Sequence, residues 1–486
     1  MGLASPLVER FNALAYTAGS YAWEPLVSLS RSAILALLSK VESGSLVITD
    51  TDGQQTVCGK KKMVNGETGG DRSVYSIPHT GLQVHKETFW VRLLLFADMA
   101  YQYNVQTATT QRNVQLFILN RNALSNGSTI TSTLSSKLSS LIRRTNTLAT
   151  SRLNIAAHYD ISNAMFAAFL SPDMTYSCPI WLPTSDPKHV EETLEQAQER
   201  KLRRFITNAK IKSGDHVLEI GTGWGSFAIM AVRETGCRVT SLTLSVEQKE
   251  LAEKRIAEAG FTDQIEILLC DYRALPTPRD GRLYDKVVSI EMLEAVGKEF
   301  LDTYFSCIDK LLKQEGGVAV FQCITMPESV GVAQPAVNLG KIFSMYMAAD
   351  VEETQRYDAY ASSDDFIRRY IFPGGHLPTS TQLLSSISRG SQNRLIPESI
   401  ENIGPHYAKT LRIWRENFMG NFDSVIGRSL REEHVGMTER DVELFRRKWE
   451  YYFCYCEAGF ATKTLGDVIL TVGREGAVEM MEDVPL

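Results

Sequence analysis

The sequence predicts an α/β protein whose larger part is a doubly wound sheet with helical additions, and three observations carry that prediction. Short apolar runs alternate with helical patterns between residues 217 and 324, the βαβ rhythm of a parallel sheet. The first run, 217–220, leads into Gly221, Thr222, Gly223, Trp224 and Gly225 and then into a helical pattern, which is a strand, glycine turn and helix in succession. A chain of 486 residues also exceeds what one core usually organises, so two domains are expected. They are placed at 1–145, a smaller α+β domain with a linker, and at 146–486.

Composition narrows the class of function. Apolar content of 44% and charged content of 22% are those of an ordinary globular protein, and a net charge of -6 offers no basic footprint for nucleic acid. The eight cysteines are scattered without C-x-x-C pairs, so neither a zinc site nor a disulfide framework is expected, and no metal. A reducing, cytoplasmic setting follows. No apolar run reaches the roughly 18 residues that a membrane helix needs, and the start lacks a secretory pattern. Contact with a bilayer is expected from outside.

Taken in order, residues 1–42 carry Phe11, Tyr16, Tyr21, Trp23, Leu26, Leu35, Leu37 and Leu38 at roughly helical spacing. They read either as a helix packed on the first domain or as a membrane-surface helix. Alternating segments near 45–50 and 73–85 read as a small β region, with a polar loop at 60–71 between them. A helical pattern over 89–103 is interrupted by the polar stretch 104–115. The Ser- and Thr-dense stretch 125–151 reads as a linker or a solvated helix. In the second domain strands are expected at 217–220, 239–244, 265–269, 286–290 and 318–324, with helices at 246–259 and 300–312. Ligands of such sheets sit outside the carboxyl ends of the strands. Residues 221–225, 243–248, 271–273 and 291–297 should therefore converge on one crevice.

The glycine turn suits a ligand that backbone N–H groups approach closely. A dinucleotide is disfavoured, because Ser226 stands where a third small residue is wanted and no acid follows about twenty residues on. A G-x-G-x-G turn on a Rossmann-like sheet fits S-adenosylmethionine better, with a plain tight strand-to-helix turn as the alternative.

Nine segments in order, HYDISNAMFAAFL, DMTYSCPIW, VLEIGTGWG, LTLSVEQ, CDYRALP, SIEMLEAVG, YIFPGGHLP, ENIGPHYAKTLRIW and YYFCYCEAGF, resemble the cyclopropane fatty acid synthase family, which includes the mycolic acid cyclopropane synthases. The likeness runs from about 153 to 473 and is weaker in the N-terminal domain, which would face lipid. The resemblance implies transfer of a methylene from S-adenosylmethionine to the cis double bond of an unsaturated phospholipid acyl chain, at a membrane surface, by a peripheral enzyme, with a homodimer as a candidate assembly. A methyl cation equivalent adds to the alkene and the new methyl then loses a proton to a bound bicarbonate. The resemblance assigns the holders of that base to Cys178, Glu294, the main chain from Gln322 to Ile324, and Tyr407. Cys456 matches a cysteine proposed as catalytic in the family, although C-x-C-x-A-G on an aromatic helix reads equally well as core packing. For the cofactor it implies Tyr176 and Ser177 beside the methionyl part and Gly221, Gly223 and Gly225, with Glu219 and Thr222, under the adenosyl and carboxylate groups. Thr243 and Gln248 would lie near the ribose and methionine ends, and Tyr272 with Arg273 beside the adenine.

Two departures stand out. Many bacterial members carry His at the positions of Ala295 and Gln322, whereas plant-like members resemble this chain at both. Residues 329–355 interrupt the passage from MPE to RYDAYASSDDF and read as a helical lid over the lipid entrance or as a retained intron. Two rival functions are a lipid C-methyltransferase without ring closure and an inactive lipid-binding homologue.

Overall fold

The structure is a computed structural model that describes residues 20–59, 79–84, 162–275, 281–327, 366–434 and 436–482, with isolated positions between 89 and 120. The readings placed on 60–71, 104–111, 125–151 and 329–355, and all but one residue of 89–103, lie outside the described residues. The chain divides into two compact units, Met1–Ser139 with Arg447–Ala458, and Ser140–Arg446 with Gly459–Leu486.

The first unit holds helix α1 (Ser20–Leu38) and strands β1 (Ser45–Thr49), β2 (Gln55–Gly59) and β3 (His79–Gln83). The strand order is β2-β1-β3, with β1 antiparallel to β2 and parallel to β3. One face of α1 delivers Val27, Ile34 and Leu38 into a core with Leu46, Ile48 and Cys58. Burial of that stripe is what holds a helix with Pro25 inside it.

The second unit begins with helices α2 (Asn163–Phe169) and α3 (Leu194–Asn208). Then β4 (His216–Ile220), α4 (Ser226–Thr235), β5 (Arg238–Thr243), α5 (Val246–Ala259), β6 (Ile265–Leu269), β7 (Lys286–Ile290), α6 (Leu301–Leu311) and β8 (Val318–Thr325) alternate in the expected sequence. The later elements are α7 (Phe366–Tyr370), α8 (Ser380–Ser391), β9 (Ile396–Asn402), α9 (Pro405–Gly420), α10 (Gly427–Glu433), α11 (Glu439–Ala461) and β10 (Gly466–Gly473), with α11 running through both units. The seven-stranded sheet has the order β6-β5-β4-β7-β8-β10-β9. Five strands are parallel, while β10 runs antiparallel to both β8 and β9.

Helices on both faces bury these strands, which explains their continuous apolar runs. Leu218, Ile220, Val287 and Phe321 from the sheet pack with Tyr304, Phe305 and Ile308 of α6. The ends of α5 follow from local chemistry. Ser245 Oγ accepts the Gln248 N–H at its start, and Gly260 at φ 78° ends it in the left-handed region. That start fixes Gln248 at the carboxyl end of β5. No helix among the described residues is long and apolar enough to cross a membrane.

Candidate active site

Strands β4 and β7 are neighbours where the strand order reverses, and a cavity of about 180 Å³ lies at their carboxyl ends. All four expected segments reach it: Gly221 and Gly223 after β4, Thr243 and Gln248 after β5, Asp271 to Arg273 after β6, and Glu291 after β7. Tyr176, Ser177, Glu219 and Thr222 line it as well.

The glycine turn depends on backbone conformations that side chains disfavour, with φ of 102° at Gly221, 53° at Gly223 and 85° at Gly225. A Cβ at Gly225 would stand 3.4 Å from that of Ala252, so this glycine also lets α4 approach α5. At Gly223 a Cβ would meet no protein atom within 4 Å. The space there is open, and the residue lines the cavity. Gly223→Val is therefore expected to fold and to weaken cofactor binding roughly tenfold or more, since a β-branched residue at positive φ adds strain to a side chain that projects where the ligand needs room. Calorimetry checks this, and unchanged affinity would remove the turn from the binding site.

Around the cavity the polar groups are paired. Thr243 donates to Gln248 Oε1 at 2.8 Å, and Asp271 takes Arg273 Nε and Nη2 at 2.8 and 2.7 Å. Tyr272 stands edge-on to Tyr304, centroids 4.9 Å apart. Buried Glu219 accepts from Ser241 Oγ at 2.5 Å, and burial pushes its pKa up to about 8.

A second layer joins the cavity through Glu291. This residue was inside a predicted crevice segment, but nothing in the sequence singled it out. Its backbone is left-handed, φ 47°. Its Oε1 accepts from the Cys178 N–H at 2.7 Å and from Gln322 Nε2 at 2.8 Å, and its Oε2 from the Tyr407 hydroxyl at 2.6 Å. Gln322 Nε2 also donates to Asp467 Oδ2 at 2.7 Å, a buried carboxyl that sequence reasoning missed entirely. Glu294 Oε1 accepts from the Ile324 N–H at 2.5 Å, and burial beside Glu291 pushes the Glu294 pKa up to about 8. Lys201, fully buried, lines the cavity and donates to Ser177 Oγ at 2.5 Å. The structure thus brings together Cys178, Glu294, Gln322, Ile324 and Tyr407, and it adds Glu291, Asp467 and Lys201. The Cys178 thiol is held protonated by burial, so its contribution is the main-chain N–H. Cys456 is half-buried in the stretch Arg447–Ala458 that belongs with the first unit, and it is not among the residues lining the cavity.

An aromatic series leads from the cavity toward this layer. Trp224 and Tyr176 line the cavity, and Phe166 lies 4.9 and 5.3 Å from them. Trp414 is 5.1 Å from Tyr176 and 5.8 Å from Tyr407, which stacks on Phe460 at 4.5 Å.

The family of mycolic acid cyclopropane synthetases matches residues 146–469. The chain belongs to that family. Among its relatives, the tuberculostearic acid methyltransferase UfaA1 of Mycobacterium tuberculosis is 40% identical over 326 residues, 67% of this chain and 66% of that protein. The cyclopropane-fatty-acyl-phospholipid synthase of Escherichia coli is 29% identical over 66% of this chain and 69% of its own. A sphingolipid C9-methyltransferase of Candida albicans is 32% identical over 56% and 47%. The chain therefore spans roughly half to two thirds of the length of these relatives. The fold of the second unit is that of mycolic acid cyclopropane synthase CmaA1, solved with S-adenosylhomocysteine, at a TM-score of 0.51 and 24% identity, covering 66% of this chain and 98% of that one.

The cavity suits S-adenosylmethionine. Its glycine turn suits the close backbone approach, and buried Glu219 and half-buried Glu291 line it together with the buried cation Lys201. Such an excess of acid favours a sulfonium. Glu219 is neutral below about pH 8 in the free protein, so it gains its charge only as the pH rises. Affinity for S-adenosylmethionine is expected to increase with pH up to about that value, by up to about tenfold per unit, and to level off above it, while S-adenosylhomocysteine, which lacks the sulfonium charge, changes much less. Calorimetry with both ligands checks this. Parallel pH profiles would show that Glu219 does not sense the sulfonium.

Proposed function

We propose that this chain adds a methyl group from S-adenosylmethionine to the cis double bond of an unsaturated phospholipid acyl chain, and that loss of a proton then closes a cyclopropane ring. The cofactor supplies an electrophilic methyl on sulfonium sulfur. The observation that carries the reading is the joint wall of aromatic rings and buried carboxyls beside the cofactor cavity. An alkene alkylated at one carbon becomes a carbocation at the other. Ring faces such as those of Tyr176 and Trp414 stabilise positive charge through their quadrupoles, ionised carboxylates do so through their negative charge, and exclusion of water prevents quenching. Methyl transfer to nitrogen or oxygen needs none of this. The name of the Escherichia coli relative supports phospholipid as substrate, which a peripheral protein would reach at a membrane surface.

A second reading, a methyl or methylene branch without ring closure, is favoured by the name of the 40% identical relative. Ring and methylene branch have the same mass. The test is to incubate the protein with S-adenosylmethionine and vesicles of a dioleoyl phospholipid, release the acyl chains as methyl esters, and hydrogenate the alkylated ester mildly before mass spectrometry. A product that takes up no hydrogen and shows the upfield ring protons by NMR is the cyclopropane. Uptake of one hydrogen molecule identifies the branch.

A further inference from the structure

We propose that Glu291 is the proton acceptor of the reaction, its own carboxylate standing where the resemblance places a bound bicarbonate. The inference rests on the proposed alkylation of a double bond. Of the four groups that the resemblance assigns to bicarbonate, two, the Cys178 N–H and the Tyr407 hydroxyl, donate to Glu291 at 2.7 and 2.6 Å. A third, the Ile324 N–H, donates to Glu294, and Glu294 is the fourth. The donors that would seat a small external base are thus engaged by carboxylates of the chain, and a separate bicarbonate does not fit this arrangement.

Three features suit Glu291 to the task. It lines the cavity and takes donors from three different residues, Cys178, Gln322 and Tyr407. Hydrogen bonds to the charged form preserve its ability to ionise, while burial keeps it more basic than an exposed glutamate. Its left-handed backbone, φ 47°, is strained for a residue other than glycine. Such strain persists where surrounding contacts fix the residue, and here they fix the carboxylate.

The step balances without a further reactant. The π pair of the double bond forms a bond to the methyl carbon as the sulfur–carbon bond breaks onto sulfur, leaving a neutral thioether and a carbocation. A C–H pair of the new methyl then closes the ring, and its proton passes to Glu291 Oε2. Sulfonium and carboxylate become thioether and carboxylic acid.

The test uses the full chain, with Glu291→Gln to remove the base and Glu291→Gly to empty the seat while relieving the backbone. Labelled ¹³C-bicarbonate followed by NMR line width is expected to bind Glu291→Gly and not the wild type. On dioleoyl phospholipid vesicles the wild type should keep its rate in carbonate-free buffer. Glu291→Gln should lose roughly 10² to 10⁴ in kcat, with cofactor affinity nearly unchanged. Glu291→Gly should recover part of the rate when bicarbonate is added. Wild-type binding of labelled bicarbonate, or loss of wild-type rate when it is stripped, would overturn the proposal. A wild type that alkylates no lipid would sink the proposed function instead, and the binding arm would still decide where the base resides.

Discussion

Lys201→Met is expected to destabilise the folded protein by roughly 3 kcal/mol near neutral pH, the low end of what removal of one partner from a buried charge group costs. Lys201 is 0% exposed and its charge opposes the desolvation of Glu219 and Glu291. Without it the folded-state pKa values of these acids rise further above their unfolded values. The folded state then holds protons that the unfolded chain has already released above about pH 4.5. Stability of the variant is consequently greatest in acid and falls as the pH rises. Thermal melts of both proteins at about pH 5 and about pH 8 should show the gap widening with pH. An equal loss at both would mean that the lysine acts through packing and its Ser177 hydrogen bond rather than through charge.

For Tyr407→Phe the expected result is a loss of about 10- to 100-fold in kcat, the equivalent of one hydrogen bond to a charged group. The hydroxyl lies 2.6 Å from Glu291 Oε2. The ring itself stays packed between Trp414 and Phe460, so the fold should survive. Because Tyr407 does not line the cofactor cavity, affinity for S-adenosylmethionine should hold. Loss of a donor to the ionised form also raises the Glu291 pKa, so the acidic limb of the pH–rate profile, where the rate rises as this carboxylate ionises, moves up in pH. A variant with near-wild-type kcat would detach Tyr407 from the chemistry.

How much of this was legible depended on range. Strands β4 to β8 were readable within a residue or two because each is a buried apolar run separated from the next by a helical pattern. Strand β9, IPESIEN, has no such run, being an edge strand with Ile396 and Ile400 exposed. The segment GDVILTVG lies within the span of the resemblance, yet nothing local said that it enters the sheet antiparallel beside β8. Among site residues, the glycines announced themselves through spacing. Glu291 did not, since EMLE reads like the start of any helix and a positive φ leaves no mark on composition. Lys201 sits in QERKLRRF, where three of its neighbours are basic and solvated lysine is the ordinary reading. Asp467 offered one local hint, an acid at the head of an otherwise apolar strand.

The antiparallel course of β10 puts Asp467 opposite Ile324, level with the carboxyl end of β8. The hydrogen-bonded layer around Glu291 therefore joins Cys178 to Asp467, residues far apart in synthesis, whereas the glycine turn and the loops after β5, β6 and β7 come from one contiguous stretch. During vectorial synthesis, a nascent chain that has emerged through β7 already carries these cofactor loops, but it has neither Gln322 nor Asp467. Capture of the cofactor can precede assembly of the acid cluster, and that cluster is completed only when the last strand closes onto the sheet.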